Sequence, residues 1–141
     1  DADSFAKILS VLDPGNQIWA KHAAVLMLTN AKKTFGTTGN PDRWGPHDTG
    51  LALGSLTLQA SAAGIFVHPM GGFDADKARA VFHIPDDFEP MAAVAIGYLG
   101  DPNTLPEKLK TRELAPRTRK PLTEIAFGAD WDEPLKLTAE S

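Results

Sequence analysis

The chain has 141 residues, with 14 basic and 18 acidic side chains and no cysteine. The lack of cysteine excludes disulfides, thiolate zinc sites, iron–sulfur clusters and thiol nucleophiles together, and a formal net charge of −4 argues against nonspecific nucleic-acid binding, which needs a basic surface. At 43% hydrophobic the chain can bury a core, and its length suits a single domain over 1–141.

Residues 4–12 place Phe5, Ile8, Leu9 and Leu12 at helical spacing, with Ser4 as the expected cap. Asp13-Pro14-Gly15 predicts a helix stop, and Asn16 then opens a short turn with Trp19 inward. Residues 22–31 form a compact apolar run whose length and content fit a strand buried on both faces, although periodicity alone leaves a helix open. Within it, Ala23 to Leu28 is the longest unbroken apolar stretch, far below the ~20 residues of a membrane span. Residues 36–47 hold three glycines and two prolines and predict a mobile surface loop.

Asp48 reads as an N-cap, followed by a helix over Thr49 to Ala63 that is apolar or small almost all round. Such a helix is expected to be buried on every side, and Gly64 stands where a glycine stop belongs. Ile65 to Val67 reads as a short strand, Pro69 to Gly72 as a turn, residues 74–82 as a surface helix and residues 90–98 as a second buried strand. Residues 100–121 carry Pro102, Pro106, Pro116 and Pro121 and predict an irregular segment; TEIAF and Trp131 close the pattern.

Two motifs carry possible chemistry. HPMGGFD runs from His68 to Asp74. Adjacent glycines let a backbone lie against a flat ligand and aim an N–H at it; equally, the segment reads as an ordinary strand-to-helix turn capped by Asp74. APRTRKPL contains Arg117 and Arg119, which an extended chain would point to one side, as a phosphate requires. The bland alternative is a solvated charge run, since residues 108–120 hold six basic residues against Glu113 alone. His22, His47, His68 and His83 show no metal-ligand spacing, so no metal site is expected. No nucleophile elbow, phosphate-binding loop or dinucleotide fingerprint occurs, so no catalytic side chain stands out. Trp44, in the glycine-rich loop, is the tryptophan expected to meet a ligand or partner; Trp19 and Trp131 read as core or interface anchors.

In order and spacing, NQIWA, HDTGLALGSLTLQA, GIFVHPMGGFD, KARAVFHIP, AIGYLGD, LPEKL and APRTRKPLTEIAF resemble the FMN-dependent nitroreductase family. The resemblance covers nearly the whole chain. Family members normally carry a further N-terminal portion, and with a first residue of Asp1 the chain looks like the C-terminal two-thirds of such a protein. The first ten residues carry acid where a basic leader would stand, so no signal peptide is expected.

The resemblance implies an α+β fold, a mixed and largely antiparallel sheet flanked by helices. It implies a homodimer with FMN at the interface, the helix from Asp48 to Ala63 in or near that interface, and a cytoplasmic setting without membrane or nucleic-acid partners. Carried over residue by residue, Gly71 and Gly72 would lie over the flavin with a backbone N–H near N5. Met70 would be a neighbouring wall, and Arg117 and Arg119 would contact the FMN phosphate. The implied activity is hydride transfer from NADH or NADPH through FMN to a nitroaromatic, quinone or similar acceptor. The alternatives are a non-catalytic flavin-binding or dimerising remnant, or a related flavin-dependent dehydrogenation whose acceptor the loop 36–47 would select.

Overall fold

A computed structural model of the chain describes residues 1–135. It forms two compact units, Asp1–Gly100 and Asp101–Ser141. The architecture of the first is α+β: three antiparallel strands with helices on both faces. Among the described residues no helix is long and apolar enough to cross a membrane.

Helix α1 spans Ala2–Val11. Asp1 caps it, accepting from the Ser4 N–H at 2.8 Å, so Ser4 is the capped residue and not the cap. Asp13-Pro14-Gly15 ends α1 and also begins a second helix, α2 (Pro14–Ala20), with Pro14 in the first turn where its missing N–H costs nothing. Asn16 therefore lies in a helix, and Trp19 packs half-buried against the core.

Strand β1 (Val25–Lys32), strand β2 (Phe66–Met70) and strand β3 (Phe88–Gly97) assemble in the order β1-β3-β2. Leu26 opposes Ala95, and Met70 opposes Ala93. Side chains alternate across a sheet. This register puts Leu26, Met70, Ala93 and Ala95 on one face, under Leu12 and Ala20 from α1 and α2. The central strand is buried on both faces, as consecutive Ala93, Val94 and Ala95 show. Strand β1 is an edge strand of mixed burial, not the doubly buried strand its composition predicts.

Helix α3 (Gly45–Ala62) packs on β1 and β2. It starts three residues before Asp48, because Pro46 fits a first turn; Asp48 contributes first-turn charge and no cap. The expectation of all-round burial is corrected: no residue of α3 is buried, and Leu51 and Leu58 are 63% and 76% exposed. One side of the helix rests on the sheet, and the other, which carries Leu51 and Leu58, is exposed among the described residues. Gly64 follows in the left-handed conformation, φ 71°.

Helix α4 (Ala75–Phe82) begins at Asp74, whose carboxylate accepts from the Lys77 N–H at 2.9 Å. Its Arg79 reaches past the helix end. The guanidinium donates to the carbonyls of Pro85 (2.9 Å) and Phe88 (2.8 Å) and pairs with Glu89 at 3.3 Å. One cation thus staples α4 to the start of β3. Arg79→Ala is expected to lower folding stability by about 1.5–3 kcal/mol, read as a lower midpoint in chemical denaturation.

The loop before α3 is more ordered than its composition predicts. Asp42 donates to the Lys33 carbonyl at 2.7 Å and Phe35 to the Asn40 carbonyl at 2.9 Å, closing a tight turn.

In the second unit, helix α5 (Glu107–Glu113) occupies part of the segment expected to be irregular. Pro106 precedes its first turn, so the proline starts this helix instead of preventing one. TEIAF contributes a short 3-10 turn over Leu122–Glu124. Trp131 is 82% exposed and stacks on Phe127 at 5.0 Å, so it anchors no core in this chain.

Candidate functional site

The glycine pair sits where β2 leaves the sheet. Met70 ends the strand, and its side chain is buried among Leu12, Ala20, Leu26, Ala93 and Ala95. Toward a ligand, Met70 therefore offers backbone and not a side-chain wall.

The two glycines have different surroundings. A Cβ built on Gly72 would lie 2.7 Å from Asn16 Nδ2 and 2.8 Å from Asp13 Oδ2. A side chain there would displace both of those side-chain ends, so the packing of this chain favours glycine at 72. A Cβ on Gly71 would meet nothing within 4 Å. The only glycines with left-handed φ among the described residues are Gly39 and Gly64. Neither space nor backbone conformation within this chain requires glycine at 71.

The segment is fixed from behind. The Gly72 carbonyl accepts from the Asp13 N–H at 3.0 Å and from Asn16 Nδ2 at 2.9 Å. The Asp74 N–H donates to the Val11 carbonyl at 2.8 Å, and Phe73 forms a bridge with Leu12. The Phe73 N–H closes a three-residue turn onto the Gly71 carbonyl at 3.1 Å. Outside the strand ladder, neither glycine N–H donates a hydrogen bond among the described residues.

Past the strand end Gly72 faces Asp13 and Asn16 at the α1–α2 junction, while alternation along β2 itself turns Val67 and Pro69 to the sheet face opposite Met70. On that face Pro69 and the exposed side of α3 (Gly50, Leu51, Gly54, Leu58) line an open apolar groove of about 560 Å³. That volume falls within the range of small-molecule sites. Gly71 follows the strand end, two residues beyond Pro69 in sequence.

Arg117 and Arg119 belong to the second unit, in an exposed stretch without regular structure. Arg119 Nη1 donates to the Thr118 carbonyl at 2.7 Å. Arg117 makes no ion pair or hydrogen bond among the described residues. The structure thus brings Met70, Gly71 and Gly72 together through one strand end, and the two arginines through their own short segment.

Sequence reasoning missed Asp13, Asn16 and Pro69 as parts of this neighbourhood, and the composition of α3 was read as burial on every side. For Asn16 no signal was available, because its partner lies 56 residues along the chain. For α3 the signal existed: an apolar helix predicts a missing cover as readily as a buried location.

Neither unit buries an acid, a base or a nucleophile among the described residues, and no cluster of histidine or carboxylate could hold a metal ion there. What the first unit presents here is backbone N–H groups and an apolar groove; the second unit, taken by itself, carries the exposed guanidiniums of Arg117 and Arg119.

The sequence model of the nitroreductase family matches residues 3–98, more than half of the chain. The chain belongs to the nitroreductase family. Two relatives of this nitroreductase-family chain bear on its length and chemistry. A 15.4 kDa protein in the ask 5' region of Mycolicibacterium smegmatis is 36% identical over 94% of this chain and 88% of its own. An NADH dehydrogenase of Thermus thermophilus is 32% identical over 68% of this chain and 46% of its own. The crystal structure of an oxidoreductase containing FMN superposes with a TM-score of 0.86 at 34% identity, over 94% of this chain and 68% of that one. The nitroreductase-like α+β fold is thereby established. The expected lack of an N-terminal portion gains no support from these matches.

Proposed function

We propose that this nitroreductase-family chain is an FMN-dependent oxidoreductase that takes hydride from NADH or NADPH and delivers it to a nitroaromatic, quinone or similar acceptor. The observation that carries the reading is Gly71, a glycine beside a strand end where neither space nor backbone conformation among the described residues calls for one. A planar ring laid against the peptide would supply the reason. The FMN-containing neighbour and the Thermus NADH dehydrogenase support the same assignment.

The residues present fit such a group. Backbone N–H groups at Gly71 and Gly72 are available to an electron-rich ring edge, and the groove beside Pro69 gives an apolar wall. Arg117 and Arg119 carry fixed positive charge for a phosphate, which guanidinium binds in a planar, forked geometry. When bound, FMN supplies the hydride chemistry at its N5. The chain's own task is to hold the ring, present a donor to its edge and keep water off one face. No side-chain acid, base or nucleophile is required from it.

A second copy of the chain is the proposed cover for α3. Exposed Leu51 and Leu58 on an apolar helix give a surface that burial would stabilise by roughly 1.5–3 kcal/mol per leucine. Leu58→Glu is expected to weaken self-association by ten- to a hundredfold or so, measured by sedimentation equilibrium, and to weaken FMN binding with it.

The assignment is tested by titrating the purified chain with FMN and then adding NADH or NADPH without oxygen. The expected result is a yellow complex that bleaches with either nucleotide and recovers its colour with a quinone. A protein that stays colourless after FMN contradicts the assignment. A yellow protein that neither nucleotide bleaches leaves flavin binding in place and removes the oxidoreductase activity.

A further inference from the structure

We propose that Asn16 is a positioning residue for the glycine pair, one that sets how the chain's backbone donors meet the flavin ring. The proposal rests on the flavin reading above. Its starting point is the Gly72 carbonyl, which accepts from two donors of one short junction, the Asp13 N–H at 3.0 Å and Asn16 Nδ2 at 2.9 Å. A carbonyl oxygen has two lone pairs, and here both are in use. The peptide plane after Gly72 is therefore fixed from two directions.

The donor is itself held rigidly. Asn16 stands in the first turn of α2, and its N–H donates to the Asp13 carbonyl at 2.9 Å. Its side-chain amide is partly buried, which shields the contact from competing water. The space that a Cβ on Gly72 would need is filled by the same two side chains, Asn16 and Asp13. The junction thus both excludes a side chain from position 72 and orients its carbonyl. The three-residue turn closed by the Phe73 N–H then carries that orientation to the Gly71–Gly72 peptide. In a trans peptide the N–H points opposite to the C=O. With the Gly71 carbonyl held by the Phe73 N–H, the Gly72 N–H is held facing away from it.

The remaining contacts make the role separable from folding. Without the Asn16 amide, the segment keeps the Asp13 N–H bond and the Asp74–Val11 bond, which together make the Leu12–Phe73 bridge. Loss of Asn16 should leave the segment attached while letting the glycine peptides rock.

The test uses the full chain and Asn16→Asp, which keeps the side chain's size but replaces its donor with an acceptor. Amide hydrogen exchange at Phe73 is followed without FMN, and affinities for oxidised and reduced FMN are measured separately. Exchange at Phe73 is expected to accelerate at least tenfold. The ratio of the two affinities is expected to change about tenfold or more, equivalent to about 30 mV in a two-electron potential. A merely structural residue would lower both affinities together and leave the ratio alone. If Asn16→Asp does not fold, Asn16→Ala, which removes the donor without adding charge, is read in the same way. Wild-type protein that takes up no FMN overturns the flavin reading and this proposal together. Wild-type protein that binds FMN, beside variants with an unchanged ratio, overturns the positioning role alone.

Discussion

Gly71→Ala is expected to leave the folding stability of the cofactor-free chain unchanged or slightly raised while weakening FMN binding at least tenfold, a loss of ~1.4 kcal/mol or more. Gly72→Ala, one residue away, is expected to lower folding stability by about 1–3 kcal/mol. The contrast follows from what each new methyl group would meet. At position 72 it would press on Asn16 Nδ2 and Asp13 Oδ2, both closer than 3 Å, and the Asn16 amide is held by its bond to the Gly72 carbonyl. At position 71 it would enter open space. There an alanine also reduces the freedom of the unfolded chain, worth about 0.4–1 kcal/mol of added stability where the backbone accepts it. Denaturation midpoints of the two variants, set beside their FMN dissociation constants, separate a glycine kept for packing from a glycine kept for a ligand. If both variants lost stability equally, with flavin affinity following, the pair would be an ordinary turn.

Alanine at Arg117 or Arg119 is expected to weaken FMN binding by about ten- to a hundredfold each, the range for a charge-assisted hydrogen bond to phosphate. Folding stability should stay the same, because both side chains are exposed and Arg119 bonds only to the neighbouring Thr118 carbonyl. Salt gives an independent check. Contacts between exposed charges weaken as the screening length shortens, so raised ionic strength should weaken FMN binding to the wild-type chain more than to the double variant. Riboflavin, which lacks the phosphate, should bind wild type and double variant alike. Equal FMN affinity in wild type and double variant would mean that the basic stretch is solvated surface.

The sequence made the fold legible where one periodicity dominated. The spacing of Phe5, Ile8, Leu9 and Leu12 revealed α1, and the run around Ala92–Ala95 revealed the doubly buried centre of the sheet. Proline misled in two places for one reason. Pro14 and Pro106 look like breakers, but a first turn has no use for the missing N–H, so each opens a helix. In α3 the apolar pattern was visible, yet the pattern alone does not say whether the cover is this chain or another molecule.

The glycine pair and the arginine pair stand out in the sequence as candidates by residue type. That the two glycines have different surroundings could not be read there, because Gly72 meets Asp13 and Asn16 across more than fifty residues. The core position of the Met70 side chain was likewise hidden, because its packing partners lie far from it in sequence.

The account stands on the claim that the peptide around Gly71 is the surface on which a flavin rests. The most direct measurement is a titration of the isotope-labelled chain with FMN, followed amide by amide in nuclear magnetic resonance. The account predicts that Gly71 and Gly72 are among the most strongly shifted amides, joined by residues of α3 that line the groove with Pro69. Saturable FMN binding that leaves the Gly71 and Gly72 amides unmoved would contradict it.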